Sequence, residues 1–150
     1  MTQYKPSSSN NDRSDLFQQL QQEYEQLCQR IDPRHTGWLF QTEPAHDGTP
    51  HIEWADGVWY YLATDRGYEV MRQTTTERAE LLYWLLRDVT WGMARGYEFK
   101  HRVPGQSFRR LLFAKQLELL TQVDPIWAER RRQEIAAILA EHPYDDEREG

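Results

Sequence analysis

Between Asp15 and Ile31 apolar residues recur at steps of three and four, and Leu16, Leu20, Tyr24, Leu27 and Ile31 fall on one side of a helix. Asp32-Pro33 ends it, because proline disfavours helical backbone in the residue before it. The period then changes. GWLFQTE, HIEWA, VWYYLATD and YEVMRQT are rich in aromatic and β-branched residues, and Asp47-Gly48, Asp56-Gly57 and Arg66-Gly67 punctuate the run as tight turns do. An antiparallel meander of three to four strands is expected.

Helical spacing returns after Thr74. Thr74 and Glu77 stand three apart, as in a capping box, and Leu81, Leu82, Leu85, Leu86, Val89 and Met93 follow on one broad face. Trp84 and Trp91 lie seven apart and share a neighbouring face. VPGQS breaks the pattern. From about Ser107 to Val123 a further helix carries Phe108, Leu112, Leu119 and Val123 in one stripe, with Phe113, Leu117 and Leu120 beside it. Asp124-Pro125 then restarts the chain as an N-cap followed by proline at the first helical position. The last helix turns Trp127, Ile135, Ile138 and Leu139 inward and ERRRQE outward, and ends near His142-Pro143. The pattern predicts an α+β fold: an N-terminal helix, the meander, then three C-terminal helices packed on the sheet. Residues 1–14 read as a disordered lead-in, 15–143 as one domain and 144–150 as an acidic tail.

Composition narrows the function classes. A chain of 150 residues can bury a core without disulfides or metals, and its six Trp, eight Tyr and five Phe supply the bulk. No apolar run approaches the roughly 20 residues of a membrane span, and the N-terminus lacks the apolar stretch of a secretory signal. The single cysteine, Cys28, excludes an internal disulfide and fits a reducing compartment, so a cytoplasmic protein is expected. A net charge of −6 argues against nonspecific nucleic-acid binding. The sign varies along the chain. Trp38 to Met71 holds Glu43, Asp47, Glu53, Asp56, Asp65 and Glu69 against Arg66 alone, whereas Lys100 to Lys115 holds no acid.

Several candidates for chemistry can be weighed. Asp88 and His101 sit among arginines, but no nucleophile motif, glycine-rich phosphate loop or helical histidine pair accompanies them. They are read as parts of a structural ion-pair cluster of Arg87, Asp88, Glu98, His101, Arg102, Arg109 and Arg110 around the Pro104-Gly105 turn. The alternative is a small enzyme or ligand-binding pocket built from Asp88, His101 and the arginines. A third reading gives the basic helix face at Arg109 and Arg110 to an acidic partner. No metal site is expected: His46 and His51 span a turn, and the other histidines are scattered. No cofactor is expected either. The meander is the stretch suited to binding a protein. Its aromatic residues Trp54, Trp59 and Tyr61 stand among Glu53, Asp56, Asp65 and Glu69, and aromatic anchors with acidic steering fit a basic partner. A sheet buried on both faces, partly by the N-terminal helix, is the competing arrangement.

LLYWLLRDVTWGMA, YEFKHRVPGQSFRRLLFAKQLELL and DPIWAERRRQEIAAILAEHPYDD, in that order and preceded by RGYEVMRQTTT, resemble the immunity protein 63 family of bacterial polymorphic toxin systems. The resemblance covers roughly residues 50 to 146. It implies a cytoplasmic protein that binds and neutralises a cognate toxin domain without chemistry of its own, and it brings no catalytic residues. For an acidic inhibitor, a basic toxin such as a nuclease is a fitting target.

Overall fold

The computed structural model describes the backbone of residues 6–150 and side chains from residue 12 onward. In chain order the elements are α1 (Pro6–Gln29), β1 (Asp47–Ala55), β2 (Val58–Asp65), β3 (Tyr68–Thr75), α2 (Arg78–Lys100), α3 (Phe108–Val123), α4 (Pro125–Glu141) and a single turn, α5 (Asp146–Glu149). The class is α+β. Of the segment expected to be a disordered lead-in, residues 1–5 lie outside the described residues, and α1 already runs from Pro6. The chain divides into two compact units. The first takes residues up to Gln29 with Arg34–Leu82; the second takes Arg30–Pro33 with Tyr83–Gly150.

In the first unit the three strands form an antiparallel sheet in the order β1-β2-β3. Both hairpins turn on residue pairs with positive φ, Asp56 (51°) with Gly57 (78°) and Arg66 (54°) with Gly67 (84°). That geometry matches the right-handed twist of the flanking strands. GWLFQTE does not add a fourth strand. It lends one backbone bond, in which Ile52 N–H donates to Gln41 O at 2.9 Å, and Pro44 just beyond has no N–H with which to extend a ladder. One face of the sheet is covered by α1, whose Phe17 meets Trp59 edge-on at 5.5 Å. Leu20, Tyr24 and Cys28 line the buried side of α1. Burial pushes the Cys28 thiol up to about 12, so it is held as a neutral apolar group. Arg78, at the start of α2, ties back to α1 through Glu23 at 2.8 Å. The helix cap differs from expectation by one residue. β3 continues through Thr75, so it is Thr75 Oγ1, not Thr74, that accepts from Glu77 N–H, at 3.0 Å.

The second unit is helical. Ala94, Leu112, Phe113 and Ile135 form a core against which Trp91, Leu117, Ile138, Leu139 and Tyr144 pack. Asp124 alone joins α3 to α4. Its N–H donates to Leu120 O and its side chain accepts from Ile126 N–H, so one residue closes one helix and opens the next. Polar bonds run through this unit as well. Gln116 is fully buried. Its amide donates to Arg87 O (3.0 Å) and Thr90 Oγ1 (3.3 Å), and its oxygen accepts from Arg131 Nε at 2.9 Å. Arg131 continues to Glu134 at 3.0 Å, where the Tyr83 hydroxyl also donates at 2.8 Å.

While Thr90 keeps its bond to Leu86 O and Arg131 keeps Glu134, Gln116→Ala removes one amide and leaves the buried Arg131 Nε without its acceptor. It should cost about 2–3 kcal/mol and lower Tm by roughly 4–12 °C. Thermal unfolding followed by circular dichroism reads this directly, and an unchanged Tm would show that the network carries no weight.

Candidate functional site: the acidic margin of the sheet

The register decides which meander residues face outward. Ile52 pairs with Tyr61 and Trp54 with Trp59, so these four share one face, which is the face against α1. Trp59 and Tyr61 are accordingly buried, at 4% and 3% exposure. The expectation that they anchor a partner is corrected: they are core residues, because α1 brings its own aromatic and aliphatic side chains to that face. Trp54, at the margin, is only half-buried and contacts Trp59 at 6.3 Å between ring centres.

His51, Glu53, Tyr60, Leu62 and Arg72 belong to the opposite face. His51 is buried, and its Nε2 meets the Glu53 carboxylate at 2.9 Å. Glu69 and Arg72 are three apart in sequence, yet form a two-pronged pair, with Arg72 Nη2 at 2.7 Å from Glu69 Oε1. A strand normally puts such residues on opposite faces. Here the register slips between Ala63 and Thr64, leaving Val70 without a partner on β2 and bringing the two onto one side. The guanidinium holds the Glu69 carboxyl below the usual carboxylate range and lies 5.4 Å over the Tyr60 ring.

Asp56 and Asp65 cap the two hairpin ends, fully exposed, and no ion pair is recorded for either among the described residues. Beside Asp65, at the opposite end of β2 from Asp56, stand two side chains that alternation alone does not single out, Tyr68 (76% exposed) and Val70 (60%), both on edge strand β3. Val70 is the unpaired residue of the bulge, which leaves no clear mark in sequence, and Tyr68 stands at the exposed hairpin end opposite Asp65. The margin of the sheet thus has two ends: Glu53, Trp54 and Asp56 stand at the β1–β2 hairpin, and Asp65, Tyr68, Glu69 and Val70 at the β2–β3 hairpin.

The cluster expected around Asp88 and His101 does not form as one group. Asp88 lies on α2 beside Arg87, and His101 follows the last residue of that helix. At 1.5 Å per residue the two are about 20 Å apart along the axis, too far for a shared proton. His101 stacks on Tyr97 at 4.1 Å and bonds its carbonyl, while Arg102 returns to Glu98 at 3.0 Å. Arg109 and Arg110 find different partners from those expected, at the C-terminus. Arg109 takes Glu149 at 2.7 Å and the His142 and Pro143 carbonyls at 2.8 Å each, and Arg110 takes Asp146 at 3.0 Å. Both guanidinium groups also lie over the Tyr144 ring, at 5.4 and 4.1 Å. Buried Ser107, the N-cap of α3, donates to Glu149 at 2.6 Å and its N–H to Asp146 at 2.7 Å. The segment read as an acidic tail is therefore a clasp over the start of α3. Among the described residues, no three His, Cys, Asp or Glu side chains converge as a metal-ligand set.

The model of the family described as Immunity protein 63 matches residues 55–137. The chain belongs to the immunity protein 63 family. The match runs from the end of β1 through β2, β3, α2 and α3 into α4, and so includes Asp56, Asp65, Tyr68 and Glu69. No curated protein and no solved structure matches the chain.

Two outcomes follow from this immunity-family fold. Trp59→Ala opens a cavity in the core and should cost about 3–5 kcal/mol, whereas Asp56→Asn should leave Tm unchanged within error; equal effects in a melting comparison would refute the assignment of faces. The clasp is acid-sensitive. Arg109 and Ser107 lower Glu149 from 4.5 to about 2, so its contribution is complete above pH 4.5 and is lost as pH falls toward 2. Glu149→Gln should therefore reduce stability near neutrality and flatten its fall between pH 4.5 and 2, measured by urea unfolding across that range.

Proposed function

We propose that this chain neutralises a bacterial toxin domain by binding and occluding it, without catalysis, in the cytoplasm of the cell that makes the toxin. The observation that carries the reading is the family match, which names an immunity protein and spans more than half of the chain. Three further features support it. No helix among the described residues is long and apolar enough to cross a membrane. Asp88 and His101 stand too far apart to act as an acid–base pair. The sheet margin combines unpaired carboxylates with an exposed tyrosine and valine.

The margin is our candidate for the toxin contact. Exposed aromatic side chains in such surfaces supply affinity, and charges at the rim mainly set the rate of encounter. Asp56 and Asp65 stand at hairpin tips, where their fields reach into solvent, and their sign suits a basic toxin surface. A nuclease domain, whose substrate groove is basic, is the target class that fits best. Tyr68, beside Asp65 at the β2–β3 hairpin, is the anchor in this reading, and Trp54 is a second aromatic at the other end of the sheet.

Titration calorimetry and stopped-flow binding with a purified cognate toxin domain test the reading. Asp56→Lys with Asp65→Lys should slow association about tenfold at low salt and reduce its salt dependence. Tyr68→Ala should weaken binding by about 2 kcal/mol through faster dissociation. Unchanged kinetics in both variants would remove the margin from the interface.

A further inference from the structure

α2 carries Gly92 and Gly96 in its interior, four residues apart and on one side. A Cβ added at either would meet nothing within 4 Å. Glycine weakens a helix relative to alanine, because it gives up more backbone freedom on folding. Internal packing therefore does not ask for these glycines. Alanine would fit the fold and make it more stable. What the glycines do provide is a bare stretch of helix backbone at the floor of an open groove of about 530 Å³. Phe99, Phe108 and Leu112 supply its apolar walls, and Phe99 is 75% exposed.

The rim of this groove is basic. Arg95, Lys100 and Arg102 line it, with Glu98 as the one acid. Glu98 is buried and already paired with Arg102, whose guanidinium also lies 5.6 Å over the Phe99 ring. Arg95 and Lys100 have no recorded ion pair among the described residues. An apolar trough with two unneutralised cations on its rim complements an amphipathic helix whose apolar stripe is flanked by carboxylates. A second copy of this chain is a poor occupant, since its α2 would bring the same cations against these. Nucleic acid is a poor one too, because the walls are aliphatic and aromatic edges beneath only two free charges.

We infer that this groove docks an acidic amphipathic helix of the bound toxin domain, received against Gly92 and Gly96 and held at its flanks by Arg95 and Lys100. The inference rests on the immunity reading and adds a second contact, opposite in sign to the sheet margin. All the groove residues lie inside the family-matched segment.

The test uses the full chain and the purified toxin domain in calorimetry, with melting curves of each variant alone. Gly92→Ala with Gly96→Ala should raise Tm by about 2–4 °C and weaken toxin binding at least tenfold. Arg95→Glu with Lys100→Glu should weaken binding at least tenfold, more at low salt, with Tm little changed. A merely structural role for the glycines would move stability and affinity together. Wild-type affinity in both variants, with binding still sensitive to Asp56→Lys and Asp65→Lys, would overturn the groove and spare the proposed function. No binding by the wild-type chain would remove both. A dimer in sedimentation that the glycine variants abolish would overturn the toxin helix as occupant in favour of a second copy.

Discussion

The side-chain amide of Gln116 sits where α2, α3 and α4 are joined, and it ties them together by bonds that have only one good geometry. It donates to the Arg87 carbonyl and the Thr90 hydroxyl on α2, and it accepts from the Arg131 guanidinium on α4. A guanidinium taken out of water is costly unless its donors are met, so Arg131 sets a demand that Gln116 and Glu134 together answer. Sliding any of the three helices by a turn would leave one of these groups without its partner. Apolar contacts around Ala94, Leu112 and Phe113 would tolerate such a slip far better, since the neighbouring turns of α3 offer leucines of similar size. The polar bonds thus supply the register and the apolar core the bulk of the stability. The groove beside Gly92 and Gly96 inherits its width from that register, because its two walls are α2 and α3.

In the sheet unit the governing constraint is the number of aromatic side chains and the single helix available to cover them. α1 covers one face, and that face takes Trp59 and Tyr61. The bulge at Val70 then shifts the end of β3, so that Glu69 and Arg72 neutralise each other on the far face, while Tyr68 and Val70 stand exposed at the hairpin end. One irregularity in the ladder separates an inert ion pair from an apolar margin. An edge strand with exposed valine and tyrosine invites pairing with another chain, and the neighbouring acids limit which chains can approach.

Element types were legible because their periods are strong. The helical leucine spacing of α2, the Asp124-Pro125 restart and the two hairpin turns each rest on local chemistry, and the structure reproduces them. The candidate surface was legible only in part. Period-two alternation puts Ile52 on the side of Trp54 and Trp59 on the side of Tyr61, as the register does, but alternation cannot say which face a helix will cover. The same limit hid Val70, left unpaired by a register slip, and Tyr68, exposed at the end of the hairpin. Partners distant in sequence were hidden for another reason. Arg109 meets Glu149 across forty positions, and nothing local in either stretch announces the other. The acidic C-terminus looked like a solvated tail because composition reports charge and not its neutralisation.

Neutralisation is the more informative quantity on this surface. Exposed ion pairs add little stability, so most paired charges here are of small consequence for the fold. What pairing changes is the field left over. Among the acids of the meander, Glu69 is taken up by Arg72 and Glu53 faces His51, whereas Asp56 and Asp65 have no recorded partner. Among the bases of the second unit, Arg102, Arg109, Arg110 and Lys115 each meet a carboxylate, whereas Arg95 and Lys100 do not. Asp65 lies beside exposed Tyr68, and Arg95 and Lys100 line the groove that holds exposed Phe99. A charge left free next to an apolar patch gains most from a partner, since docking there removes apolar surface from water and lowers the dielectric around the new pair. On that argument the net charge of −6 describes solubility, while the recognition we propose rests on charges left beside exposed apolar side chains.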